Sequence, residues 1–311
     1  MPDKPVITII TPVYNGEKYI SETIESVIHA RMSFPYEYLV IDDGSTDSTS
    51  KILQQYKNKI KIFSHENRGE SATVNRGLEN AEGDFVLVVN ADDPLLTEDL
   101  VNKGCQYLIG NPNVVAVYPD WKIIDDYGKT IKINVLPEYS DEIMIGECRT
   151  VPGPGTIFRK DSALRIKGRR TEWKYVGDYD FWLRLSRIGE IRRLPGVLAQ
   201  WRESQNSTSI SQRGIEMANE RIEVTSNFLS KNSVPNYIVK MAKGNSHYLA
   251  ARLAFFDSRI NGRNLLVKSF WYKKSWPSNA RIHIVLYLLL LPLSKKVIDK
   301  FPNLVARISQ R

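Results

Sequence analysis

The run Phe85-Val86-Leu87-Val88-Val89, followed at once by Asn90-Ala91-Asp92-Asp93-Pro94, constrains the fold of this chain more than any other stretch. Five apolar residues in a row, three of them β-branched, predict a strand covered on both faces. Such strands belong to parallel or mixed sheets flanked by helices. Two carboxylates stand where that strand ends. In open α/β sheets the ligand crevice lies outside the carboxyl ends of the strands, where acids hold a hard divalent cation and, through it, a phosphate. Asp-Asp-Pro is also ordinary turn chemistry, and the decapeptide alone is compatible with a turn or with a metal site.

The residues before it repeat the pattern. Val6-Ile7-Thr8-Ile9-Ile10 predicts a strand ending at Thr11-Pro12-Val13-Tyr14-Asn15-Gly16, and Ile20, Ile24, Val27 and Ile28 have helical spacing. Tyr38-Leu39-Val40-Ile41 predicts a second strand that again ends in acids, Asp42-Asp43-Gly44-Ser45-Thr46-Asp47-Ser48-Thr49. The hydroxyls there suit the cap of the helix carrying Ile52, Leu53 and Tyr56, but capping does not account for Asp42 and Asp43. Lys61-Ile62-Phe63 and a helix through Asn75 to Leu78 complete a β-α-β-α-β-α-β order, the pattern of a nucleotide-binding α/β domain. Neither GxGxxG nor GxxxxGK[ST] occurs, so phosphates would need a metal or side chains.

Beyond it the sequence predicts a helix near Glu98–Ile109, a strand at Val114–Tyr118, a loop forced by Pro152-Gly153-Pro154-Gly155-Thr156, and a helix on which Phe181, Leu185 and Ile188 share a face. Asp178 falls at that helix's N-terminus, where the dipole favours a negative charge, so a capping role and a chemical one both suit it.

Of 311 residues 42% are hydrophobic and 25% charged, which is globular composition. Cys105 and Cys148 lack CxxC spacing, which argues against a zinc site or a disulfide framework and fits a reducing compartment. No export signal is legible, so a cytoplasmic location is expected. The net charge of +8 is concentrated from Arg263 onward, where ten Lys or Arg face only Asp299. The same region holds the apolar run Ile282–Leu293, shorter than the roughly 20 residues of a bilayer span. Flanked by cations and by Trp271, Tyr272 and Trp276, the run suits either a buried helix or contact with anionic lipid at the inner membrane face. No nucleic-acid motif accompanies the charge, and no nucleic-acid partner is expected. Apolar positions at Ile215, Ala218, Ile222, Thr225 and Leu229, then at Ile238, Ala242, Leu249, Leu253 and Phe256, predict two further helices.

The segments "ITPVYNGEKYISETIESV", "VIDDGSTDST", "ENRGESATVNRGLENAEGDFV", "NADD", "PGPGTIFRK" and "VGDYDFWLRL" occur in the order and register of the family 2 glycosyltransferases, which this chain resembles from about Pro5 to Ser209. The resemblance implies a GT-A fold, with a mixed, mostly parallel sheet flanked by helices, and an inverting, metal-dependent enzyme. Residues 1–212 would form the catalytic domain (1–95 the nucleotide half, 96–212 the acceptor half) and 213–311 a helical, basic region. The reaction implied is transfer from a nucleotide-sugar, UDP-linked by resemblance, to a hydroxyl of a glycan or lipid-linked acceptor, as in bacterial surface polysaccharide assembly. By the same resemblance Pro12, Tyr14, Asp43, Asn75, Asn90 and Asp92 would meet the donor, Asp92 with Asp93 would hold Mg²⁺ or Mn²⁺, and Asp178 would be the catalytic base. The chain departs from the pattern where Asn90 replaces an acid, where Gly177 precedes Asp178 in place of Glu, and where Arg202-Glu203-Ser204 replaces Arg-x-His. A non-catalytic nucleotide-sugar-binding scaffold and a nucleotidyltransferase are the alternatives.

Overall fold

The computed structural model describes residues 4–203, 214–257 and 259–272. The chain forms two compact units, one of residues 1–140 with 150–207, the other of residues 141–149 with 208–311.

The first unit is built on a single eight-stranded sheet. Its N-terminal half alternates β1 (Ile7–Val13), α1 (Ile20–Ile28), β2 (Tyr36–Asp42), α2 (Thr49–Gln55), β3 (Lys61–Ser64), α3 (Glu70–Asn80) and β4 (Phe85–Val88). β1 lies parallel between β2 and β4, and β3 extends the sheet beyond β2, so the carboxyl ends of all four strands open to one edge. Then come α4 (Asp99–Gly110), β5 (Val114–Ile124), β6 (Thr130–Asn134), β7 (Ile157–Arg159), α5 (Lys160–Arg165), α6 (Gly177–Leu185) and β8 (Glu190–Arg202). The sheet order is β3-β2-β1-β4-β7-β5-β6, with β7 antiparallel to β4 and β5, and β8 parallel to β5.

The strands are held because both faces are covered. Ile7, Ile9, Tyr38, Val40, Phe85 and Leu87 pack with Ile20, Ile24 and Val27 of α1 and with Leu100, Val101, Cys105 and Leu108 of α4 in one continuous core. Ile10, Leu39, Ile41 and Val86 are equally buried on the opposite face, where α3 lies against β1 and β2 through Val74 and Leu78. Each such side chain contributes about 1.5–3 kcal/mol on burial. The opening apolar run behaves as its composition predicts over Phe85–Leu87, while Val88 is only half-buried because it borders a cleft. The strand expected over Val114–Tyr118 continues to Ile124, since β6 and β8 both pair with its far half.

The second unit contains a π-helical turn (Glu142–Gly146), α7 (Gly214–Lys231), α8 (Asn236–Asp257) and α9 (Arg259–Tyr272). The expected helical periodicities from Ile215 and Ile238 are realised as α7 and α8. Asn245 Nδ2 of α8 donates to the Gly146 carbonyl at 2.7 Å, Arg221 Nη1 of α7 donates to the Cys148 carbonyl at 2.9 Å, and Ser269 Oγ of α9 donates to the Gly244 carbonyl at 2.6 Å. Among the described residues no helix is long and apolar enough to cross a membrane. The Ile282–Leu293 run, Trp276, most of the basic tail and Ser204 lie outside the described residues.

Candidate functional site

At the carboxyl edge of the sheet the turn after β1 is bolted to the turn after β2. Asn15, left-handed at φ 51°, accepts at Oδ1 from the Thr46 N–H at 2.8 Å, and its own N–H donates to Ser45 Oγ at 2.9 Å. The Gly16 N–H donates to Thr49 Oγ1 at 2.9 Å, and the Ser48 N–H to Glu17 Oε2 at 2.9 Å. This corrects the capping expectation: Ser48 stands at the N-cap of α2 without a side-chain cap bond, and the neighbouring hydroxyls join two loops instead.

The two acids after β2 divide the work. Asp42 closes its own turn, accepting from the Ser45 N–H at 2.9 Å and from Ser50 Oγ at 2.7 Å. Asp43 faces the next loop, accepting from the N–H groups of Arg68 (2.8 Å) and Gly69 (2.9 Å), with His65 Nδ1 at 3.3 Å. Its own N–H donates to the Val13 carbonyl at 2.8 Å, which sets it beside Tyr14, a ring 52% exposed at the end of β1. Pro12 is buried within β1. Gly44, at φ +75°, leaves no room for a side chain: a Cβ there would lie 2.7 Å from the Asn67 nitrogen.

The acidic turn after β4 is held from below. Asp93 is 6% exposed and accepts from the Arg202 N–H at 2.7 Å and from Asn90 Nδ2 at 2.9 Å. Arg202 is 1% exposed. Its guanidinium donates to the carbonyls of Asp92 (2.9 Å), Asp125 (3.1 Å) and Asp126 (3.0 Å) and to Glu22 Oε2 (2.7 Å), and lies over the Tyr19 ring. Burial, then the charge of Asp92, pushes the Asp93 carboxyl up to about 7, and burial also raises Asp92. Each Asp93 oxygen accepts one hydrogen bond, from Asn90 within the turn and from Arg202 of β8, so Asp93 helps to hold that turn.

Among the described residues no group of three or more His, Cys, Asp or Glu side chains is set to hold a metal. Asp92 is partly exposed, and the Asn90 amide, with its nitrogen committed to Asp93, leaves its oxygen on the other end. One carboxylate and one neutral oxygen suit a Mg²⁺ or Mn²⁺ that keeps most of its shell as water and substrate phosphate.

Between the end of β4 and the start of α6 lies a cleft of about 310 Å³, lined by Val88 and Asn90, by Glu70 and Ser71 of α3, by Pro152-Gly153-Pro154 and Thr156, by Arg169, Lys174 and Tyr175, by Gly177 and Asp178, and by Trp182 and Trp201. Asp178 is exposed in the first turn of α6 and accepts from the Tyr179 N–H at 2.7 Å. Two residues on, Asp180 is buried and receives Arg184 Nε at 2.7 Å and Arg170 Nη1 at 3.1 Å, which fixes the start of α6. Asn90 and Asp178, far apart in sequence, thus share one cleft, while Tyr14 and Asp43 lie just past the carboxyl ends of β1 and β2.

Asn75 is engaged with another segment: its Nδ2 donates to the Arg169 carbonyl at 2.7 Å and its Oδ1 accepts from the Arg169 N–H at 2.8 Å. Arg169, Lys174 and Trp201 were not foreseen as site residues: Arg169 and Lys174 lie in loops, where a basic side chain carries no periodic signal, and Trp201 lies near the end of β8, a strand the sequence reading did not predict. Arg202 was noted only as half of a departing motif.

Residues 8–163 match the model of glycosyl transferase family 2. An uncharacterized glycosyltransferase of Rickettsia typhi is 29% identical over 286 residues, covering 86% of this chain and 83% of that protein. The putative teichuronic acid biosynthesis glycosyltransferase TuaG of Bacillus subtilis is 39% identical over 112 residues, 34% of this chain and 43% of the relative. Among solved structures, S. aureus TarS 1-349 in complex with UDP-GlcNAc superposes with a TM-score of 0.63 at 20% identity, covering 85% of this chain and 79% of TarS, a likeness of fold. The mannosyltransferase PcManGT of Pyrobaculum calidifontis, in complex with GDP-Man and Mn²⁺, has a TM-score of 0.55 at 15% identity, covering 99% of this chain and 85% of its own. The expected GT-A architecture is borne out, and the chain belongs to glycosyl transferase family 2.

Proposed function

We propose that this glycosyltransferase moves a sugar from a nucleotide-sugar, UDP-linked in our reading, to an acceptor hydroxyl with inversion at the anomeric carbon. The observation that carries the reading is the cleft lined by both Asn90, from the acidic turn after β4, and Asp178, from the N-terminus of α6. In this reading Asp178 takes the proton of the acceptor hydroxyl as its oxygen attacks the anomeric carbon. The bond from that carbon to the diphosphate breaks on the opposite face, and a nucleoside diphosphate leaves. A carboxylate suits the task because the hydroxyl becomes acidic only as the new bond forms.

Tyr14 offers its exposed face to a nucleobase. Asp43, each of whose oxygens has a second lone pair, accepts from a base N–H. Asp92 and the Asn90 amide oxygen would hold a divalent cation, whose chemistry is to neutralise the diphosphate as it departs. Trp182, Trp201 and Tyr175 give the acceptor side of the cleft aromatic faces against which a sugar ring can lie.

The acceptor we propose is a glycan or lipid-linked glycan of a bacterial envelope polymer. TuaG, named for teichuronic acid biosynthesis, supports this, as does the exposed end of α9, where Trp271 is 83% exposed beside Lys268 ahead of the basic tail. That end suits anionic lipid head groups, with the protein on the cytoplasmic side and peripheral to the membrane.

Product analysis tests the reaction class. Incubation with nucleotide-sugars should release nucleoside diphosphate and give a product whose anomeric configuration, read by NMR coupling, is opposite to the donor's. Release of pyrophosphate would mean nucleotidyl transfer, and retained configuration would remove Asp178 from the role of base.

A further inference from the structure

We propose that Arg169 is the phosphate-binding cation of the cleft and that Asn75 is the residue that positions it. The inference rests on the glycosyl-transfer reading and adds a residue pair to it.

The backbone of Arg169 is held with unusual completeness for a loop. The Asn75 side chain, from α3, clamps it reciprocally, with Nδ2 to the Arg169 carbonyl at 2.7 Å and the Arg169 N–H to Oδ1 at 2.8 Å. The preceding residue, Gly168, is left-handed at φ +64°, and a Cβ there would sit 2.3 Å from Asn75 Oδ1, so only glycine lets the clamp close. Arg184 Nη2 secures the same turn by donating to the Gly168 carbonyl at 2.8 Å. The result is a guanidinium whose side chain is 12% exposed and which lines the cleft shared by Asn90 and Asp178.

Its counter-charge is provisional. Glu70 Oε1 accepts from Arg169 Nη1 at 2.6 Å, but the Glu70 side chain is 62% exposed, and an ion pair with one partner in water holds weakly. Glu70 engages one of five N–H donors, and the planar fork matches two oxygens of a phosphate. The acidic turn is also one negative charge short at Asn90. A phosphate entering the cleft therefore meets less repulsion from that turn and a cation already in place. Two sources supply this chemistry: the donor's diphosphate, or a phosphate carried by the acceptor.

The experiment is calorimetric titration of the full-length native chain, Arg169→Ala, Arg169→Lys and Asn75→Ala with UDP, GDP, ADP and dTDP and with their nucleosides, alongside inhibition of turnover by glycerol phosphate. We expect the diphosphate that binds the native chain to bind Arg169→Ala roughly tenfold to a hundredfold more weakly while its nucleoside binds unchanged. Arg169→Lys should fall between, and Asn75→Ala should show a smaller loss with the same selectivity. Unchanged nucleoside affinity certifies that each variant is folded at the site. An undiminished diphosphate affinity with lost glycerol phosphate inhibition assigns the phosphate to the acceptor. If neither changes in Arg169→Ala, or if nucleoside and diphosphate weaken equally, the proposal is overturned while the glycosyl-transfer reading stands. If no nucleoside diphosphate binds the native chain, both fall.

Discussion

The backbone N–H of Arg202 donates to Oδ1 of Asp93 at 2.7 Å, which ties the last residue of β8 to the acidic turn after β4. Segments 109 residues apart are joined at this turn, and the Arg202 side chain repeats the join through the Asp92 carbonyl. Replacing Arg202 removes the donor from three part-buried carbonyls at once. Arg202→Met should cost about 3 kcal/mol, seen as a lower midpoint for the first thermal transition. Arg202→Lys should recover little of it, because one ammonium cannot reach partners that the guanidinium fork spans.

Glu37 predicts the acid limb of stability. It is 8% exposed and accepts from Thr8 Oγ1 at 2.6 Å, from Lys61 Nζ at 2.8 Å and from the Glu82 N–H. Burial alone would raise its carboxyl, but the Lys61 and Thr8 hydrogen bonds outweigh it and hold the group below the usual carboxylate range. A folded pKa below the unfolded one means stability present above the unfolded value and lost as pH falls through the folded one. Melting temperature should fall from about pH 5 downward. Glu37→Gln should flatten that slope while lowering stability at neutral pH by about 1–2 kcal/mol. An unchanged acid slope in Glu37→Gln would contradict the assignment.

Gly44 predicts a link between backbone geometry and nucleotide affinity. Gly44→Ala meets both the left-handed φ of +75° and the 2.7 Å approach to the Asn67 nitrogen, a strain of about 1–3 kcal/mol. Because Asp43 is adjacent and bound to the same loop, the variant should lose nucleoside affinity as well as stability. Loss of stability with nucleoside affinity intact would detach Asp43 from base recognition.

The exposed end of α9 predicts salt-sensitive membrane contact. The full-length protein should co-sediment with anionic vesicles at low salt, release at high salt, and bind less well as Trp271→Ala, whose native ring is 83% exposed. Equal partition with neutral and anionic vesicles, or no binding to either, would contradict the proposed peripheral location.

The order of strands and helices through β4 was legible because each element carries its own period, and the strand-end acids announced themselves as polar clusters after apolar runs. Partnership was not legible. Nothing in Asn75 or Asp93 distinguishes a side chain that meets a ligand from one that clamps a neighbouring segment, because that depends on Arg169 and Arg202, 94 and 109 residues away. The hydroxyls after Asp43 read as a helix cap from local spacing, whereas Thr49 is used by Gly16, 33 residues earlier. Residues 141–149 join the C-terminal helices through Asn245 and Arg221, pairings that carry no sequence period.

The central claim is that Asp178 is the base of a nucleotide-sugar-dependent transfer. The most direct measurement screens a panel of nucleotide-sugars with Mn²⁺ or Mg²⁺ on the native chain and on Asp178→Asn, scored by thermal shift and by release of nucleoside diphosphate. One donor should stabilise both proteins, and only the native chain should turn it over, with the variant slowed by about a hundredfold or more. Equal turnover by Asp178→Asn, or the absence of any stabilising donor with either metal, would contradict the account.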